Sequence, residues 1–132
     1  MARTPRDITD AELSVLEVLW RDGPAPIRRL TDVLYMPGSA AHYATVQKLL
    51  ERLEAKGCVV RDRSSAVHVY SAAISREELI GRRLQAVAEK LCGGSLTPLL
   101  THLVRNTRLT LKDRQELRAL IEDLDRQKKN RP

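Results

Sequence analysis

The stretch SAAHYATVQKLLERLEAKGCVVRDRSSAVHVY, residues 39–70, changes its hydrophobic period partway along. Up to Lys56 the apolar residues Val46, Leu49, Leu50 and Leu53 recur at the spacing of one helix face. Ser39 suits the N-cap of that helix, because its hydroxyl can accept an orphan backbone N–H. Gly57 suits the position just past its end, where a left-handed residue stops a helix. Beyond Gly57 the period falls to two. Cys58-Val59-Val60-Arg61-Asp62-Arg63 and Val67-His68-Val69-Tyr70 are rich in β-formers and flank Ser64-Ser65-Ala66, which spells a hairpin. Cys58 alternates with Val60, so Cys58 is expected to be a small core residue.

Working back toward the N-terminus, Pro37-Gly38 breaks the chain ahead of Ser39. A short helix over about Ile27 to Tyr35 precedes the break, with Ile27, Leu30, Val33 and Leu34 as its stripe. Pro24-Ala25-Pro26 is extended and can make a very short strand. Thr9 and Glu12 form a capping box at the head of a first helix that ends near Asp22, before Gly23-Pro24. Leu13, Leu16 and Trp20 lie on one face of it, with Val15, Val18 and Leu19 beside them. Three short helices followed by a hairpin is the layout of a winged helix-turn-helix, in which the third helix enters the DNA major groove and the hairpin touches the backbone beside it.

That layout makes the outer face of the third helix the surface to inspect. With Val46, Leu50 and Leu53 inward, Ala44, Gln47, Lys48 and Glu51 face out, with Ala41 and Thr45 toward one edge. Gln can bond bidentately to adenine, Thr can donate or accept, and Ala can meet a thymine methyl. Lys48 can reach guanine or phosphate. Ser39 and the small residues after it permit close approach at the helix start, which also favours phosphate. His42, at the same end, and His68, on the hairpin, are candidate phosphate contacts, as are Arg61 and Arg63. Tyr43 is read as partly core, with its hydroxyl near a phosphate. Arg52 can serve DNA, a neighbouring Glu51 or Glu54, or an acid of the first helix. An ordinary solvated helix face remains the plain alternative for all of these.

Toward the C-terminus, Ser75 and Glu78 form a second capping box and open a helix that runs to about Cys92. Its Ile80, Leu84, Val87 and Leu91 are spaced as a seam for another helix. Gly93-Gly94 ends it. A fifth helix, Ser95 to about Asn106, carries Leu96, Leu99, Leu100, Leu103 and Val104. Thr110 caps a sixth with Leu117, Leu120, Ile121 and Leu124 on one face. Such thin amphipathic helices bury their apolar faces poorly alone, which favours packing against a second chain over packing back on their own winged helix. The expected fold class is mainly α with a small β-hairpin. The expected division is a winged-helix DNA-binding domain over 1–74 and a helical dimerisation domain over 75–132.

Composition narrows the function classes. The chain has 132 residues, net charge +6 and 42% hydrophobic residues, with no Phe, so its core is built from Leu, Val, Ile and Ala. Basic character suits a polyanion, yet residues 1–74 carry 10 Lys+Arg against 9 Asp+Glu, so bulk charge does not mark the DNA site. Arg3 and Arg6 form a basic N-terminal arm, and the residues from Lys128 onward form a polar tail. Two distant cysteines, Cys58 and Cys92, make neither a disulfide framework nor a metal cluster, and His42, His68 and His102 lack ligand spacing. Cys92 reads as core filler near the seam, with a redox thiol as the minority reading. There is no phosphate-cradling glycine loop, nucleophile elbow or metal-protease helix, so no enzyme, metal or cofactor is expected. No apolar stretch of signal or membrane-span length occurs, so a soluble cytoplasmic protein without membrane insertion is expected.

The sequence also resembles a known family. Ile8-Thr9-Asp10-Ala11-Glu12-Leu13 followed by Val18-Leu19-Trp20, the run Tyr43 to Gly57, Val67-His68-Val69-Tyr70, Gly94-Ser95-Leu96, and Glu116-Leu117 with Leu120-Ile121 are similar to the penicillinase-repressor family (BlaI/MecI type). The resemblance spans about Ile8 to Asp125. It implies a repressor that binds a double-stranded, dyad-symmetric operator as a homodimer and controls β-lactam-response or related stress genes, with a membrane-linked protease as a further partner. Three departures stand out. The family's usual Gly-Arg at the wing tip is Ser65-Ala66 here, its cleavable Asn-Phe pair is Thr101-His102, and the paired cysteines of copper-responsive relatives are missing. Two other function classes stay open: a winged-helix adaptor that binds protein rather than DNA, and a ligand-sensing regulator, for which no aromatic-lined pocket is apparent.

Overall fold

Thr9 caps helix α1 (Asp10–Asp22) through the expected box: its side chain accepts from Glu12 N, and the Glu12 carboxylate accepts from Thr9 N. The computed structural model describes residues 8–36 and 39–129. Arg3, Arg6, the Pro37-Gly38 break and the last residues of the tail lie outside them. After α1 come α2 (Ile27–Leu34), α3 (Ala40–Ala55), β1 (Val59–Asp62) and β2 (Val69–Ala72), then α4 (Arg76–Leu91), α5 (Thr97–Asn106) and α6 (Leu111–Lys129). Among the described residues this is a mostly helical chain with one antiparallel hairpin, a winged helix followed by further helices. None of these helices is long and apolar enough to cross a membrane.

Packing divides the chain into one unit through Gly81 and another from Arg82 onward, a division that falls inside α4. Leu79, in the first turns of α4, is buried in the core of the first unit. That core joins Val15, Leu16 and Leu19 of α1, Leu30 of α2, Leu49, Leu50 and Leu53 of α3, and Val59 and Tyr70 of the hairpin. Fully burying each leucine contributes about 1.5–3 kcal/mol. Ala25 exchanges backbone hydrogen bonds with Tyr70 at 2.9 Å both ways, so the rigid Pro24–Pro26 segment adds one bridge to the free edge of β2. Trp20 ties the start of α4 to α1: its Nε1 donates to Ile74 O at 2.8 Å, and Arg76 lies over its ring at 4.7 Å.

The hairpin pairs Val59 with Ala72, Val60 with Ser71, Arg61 with Tyr70 and Asp62 with Val69. Its phase differs from the expected one. Cys58 is buried as expected, but Val59 rather than Val60 continues inward, and Val60 is 54% exposed. The strand begins one residue late because Cys58 N still donates to Leu53 O, closing the turn at Gly57 (φ +76°). A one-residue shift sends every following side chain to the opposite face.

In the second unit Ala88 is the buried hydrophobic residue among those described. Gly94, at φ +90°, turns α4 off by donating to Ala88 O at 2.9 Å.

Candidate nucleic-acid interface

The third helix is capped at its start by an unusual reciprocal pair. Ser39 Oγ accepts from His42 N at 3.2 Å, and His42 Nδ1 accepts from Ser39 N at 3.3 Å. Histidine thus takes the place that Glu or Gln fills in an ordinary capping box. The His42 ring stacks on Tyr35 at 4.3 Å with an interplanar angle of 3°, so α2's end and α3's start hold one another. His42 is half-buried and its acceptor nitrogen is engaged.

Along α3 the stripe Val46, Leu49, Leu50 and Leu53 is buried, which leaves Ala41, Ala44, Thr45, Gln47, Lys48, Glu51 and Arg52 exposed. Tyr43 is 39% exposed. Thr45 Oγ1 donates to Ala41 O at 3.1 Å, so its hydroxyl keeps acceptor capacity for a ligand. Arg52 makes no ion pair among the described residues; the first-helix acid goes to another partner. Lys56 Nζ, at the end of α3, lies 2.6 and 2.7 Å from the two oxygens of buried Glu12. Burial pushes the Glu12 carboxyl up. The Lys56 ammonium and the Thr9 hydrogen bonds outweigh that and hold it below the usual carboxylate range.

The hairpin residues separate. Arg61 shares a face with Val59 and Tyr70, and its guanidinium lies 3.5 Å from Glu54 of α3. Its Nε is buried without a hydrogen-bond partner. Arg63 and His68 are exposed beyond the strand ends. Asp62 faces outward and accepts from Ser64 N at 2.8 Å; hydrogen bonds from Ser64 hold its carboxyl below the usual range. Ser65 Oγ donates to Val67 O at 2.7 Å across the tip.

Sequence reasoning passed over Arg28. It lines a cleft of about 310 Å³ between α2 and the first turn of α3, with Thr31, Asp32, Ser39, Ala40 and Tyr43. The signal was an arginine on the polar side of a helix that leads directly into the candidate recognition helix. No group of three or more His, Cys, Asp or Glu side chains that could hold a metal occurs among the described residues.

The expected dimerisation residues present apolar side chains to solvent. Ile80, Leu84, Val87 and Leu91 of α4, Leu96, Leu100 and Leu103 around α5, and Leu117, Leu120, Ile121 and Leu124 of α6 are all between 40% and 74% exposed, and Leu99 is half-buried.

Among solved structures, the transcriptional regulator Tm0710 from Thermotoga maritima shares 23% identity, covering 88% of this chain and 78% of that one, at a TM-score of 0.43. The transcriptional regulator BlaI of Mycobacterium tuberculosis is 31% identical over 134 residues, covering 100% of this chain and 94% of the relative. The penicillinase repressor of Staphylococcus aureus is 24% identical, over 96% of this chain and 99% of its own length. The family model for the penicillinase repressor matches residues 8–123. The chain belongs to the penicillinase repressor family.

Proposed function

We propose that this chain is a transcriptional repressor that binds a dyad-symmetric double-stranded DNA operator as a homodimer. In this reading α3 lies in the major groove, and the winged-helix unit reads DNA while the remaining helices join two copies. The observation that carries it is the surface of α3: Thr45, Gln47 and Lys48 stand exposed on a helix whose opposite face is buried and whose start is capped. Gln47 suits an adenine edge, Thr45 a base or phosphate oxygen, Lys48 a guanine or phosphate, and Ala41 and Ala44 leave room for a thymine methyl. Ser39, His42, Tyr43, Arg52, Arg63 and His68 surround these as backbone contacts.

Dimerisation is supported by the leucine-rich faces of α4, α5 and α6, which are exposed in the single chain. Exposed apolar helix faces of this kind favour an interface. Such a regulator acts in the cytoplasm. Its relatives' names point toward penicillinase genes, and genes of β-lactam or related stress response are the proposed targets. A membrane-linked protease is a proposed partner, but the positions matching the family's cleavable Asn-Phe pair carry Thr101-His102, exposed within α5, which tells against release by that cleavage.

The test is a footprint of the purified protein on DNA upstream of its own gene, at near-physiological salt with excess competitor. A protected site with two-fold symmetry is expected. No protection there, and none after unbiased selection from random DNA, would turn the assignment to an adaptor that binds protein.

A further inference from the structure

The wing of this chain is poor in available positive charge. Arg61 is engaged by Glu54 on the inner face of the hairpin, Asp62 puts a negative charge on the outer face, and the tip Ser64-Ser65-Ala66 carries none. Of the wing's two arginines, Arg63 alone is without an ion pair among the described residues. The N-terminal end of α3 differs. Arg28 is exposed, makes no ion pair among the described residues, and lines the α2–α3 cleft together with Ser39 and Tyr43.

We propose, on the footing of the DNA-binding reading above, that the main hold on the phosphate backbone comes from α2, with Arg63 and His68 as the wing's remaining contacts. A backbone phosphate sits in the cleft between Arg28 and Tyr43, while Arg61 is a positioning residue that fixes the wing against α3 through Glu54. The guanidinium of Arg28 can meet two phosphate oxygens at once, and the Tyr43 phenol supplies a further O–H donor. Asp32 lines the same cleft and opposes the anion, so the contact depends on the placement of Arg28 rather than on diffuse charge. The near-neutral balance of residues 1–74 agrees, with 10 Lys+Arg against 9 Asp+Glu. A backbone contact of this kind sets register, leaving Thr45, Gln47 and Lys48 to read bases.

The experiment uses the full chain and a selected operator fragment, with affinity measured across a salt series for wild type, Arg28→Gln, Arg28→Lys and Arg61→Gln. Each lost phosphate contact makes the slope of log affinity against log salt shallower by about 0.9. Arg28→Gln is expected to show that change for each bound chain, with about ten-fold or more weaker binding in low salt. Arg28→Lys keeps the slope. Arg61→Gln keeps the slope while affinity falls, and exchanging the pair, Glu54→Arg with Arg61→Glu, restores affinity. Arg28 is exposed, so its variants should melt as wild type does. An unchanged slope in Arg28→Gln, or a shallower slope in Arg61→Gln, overturns the proposal while the repressor reading stands. Wild type that binds no selected DNA in a salt-dependent way overturns both.

Discussion

Lys56, at the end of α3, closes a two-pronged ion pair on Glu12, the residue that also caps α1. One fully buried carboxylate therefore serves two helices, through a partner 44 positions away in sequence. A buried charge is tolerable when it is paired and hydrogen-bonded; removing one partner leaves the other stranded.

Glu12→Ala is accordingly expected to destabilise the winged-helix unit by about 3–5 kcal/mol, with Lys56→Met costing a similar amount. The double variant should cost clearly less than the sum. Urea unfolding of the four proteins checks this, and strict additivity would show that the pair does not act as a unit.

Acid should find the same pair. Glu12 is held below the ordinary glutamate value of about 4.3 that it regains on unfolding. The unfolded chain therefore binds the proton first, and stability falls as pH drops below that value toward the lower folded one. Wild type should lose stability over this acid range more steeply than Glu12→Gln, which has no proton to take up there. Parallel pH profiles for the two would exclude Glu12 as a source of acid sensitivity.

On the candidate reading face, Gln47→Ala combined with Lys48→Ala should abolish specific operator binding and leave the melting curve unchanged, because both side chains are exposed. Competition binding against scrambled DNA is the measurement. Undiminished discrimination would move the reading surface elsewhere.

For the C-terminal helices, Leu84→Asp with Val87→Asp should yield monomers with much weaker operator binding, since paired half-sites need paired chains. Sedimentation equilibrium decides this. A variant that still sediments as a dimer shows that the α4 face is not the seam.

Local chemistry made most of the fold legible. The capping pair Thr9 and Glu12, the stripe Val46 to Leu53 and the stop at Gly57 are short-range signals, and each appears where the sequence puts it. The hairpin was legible but not its phase. Val59 and Val60 are chemically identical, and the tie from Cys58 N to Leu53 O that delays the strand belongs to the turn rather than to any pattern. Arg61 is a candidate phosphate contact in the sequence, and its engagement with Glu54 depends on the inverted phase. The Glu12–Lys56 pair and the Arg28 cleft arise from helices brought together in space, which periodicity along one helix does not encode. The stacking of His42 on Tyr35 crosses the Pro37-Gly38 break and was equally out of reach.

Trp20 is the chain's single tryptophan, and its partners Ile74 and Arg76 lie on the winged-helix side of the packing boundary. Its fluorescence is thus a built-in reporter of one half of the molecule, while circular dichroism sums helices from both. Recorded together during a single melt, the two signals separate the loosening of the winged-helix half from that of the C-terminal helices, with no label attached.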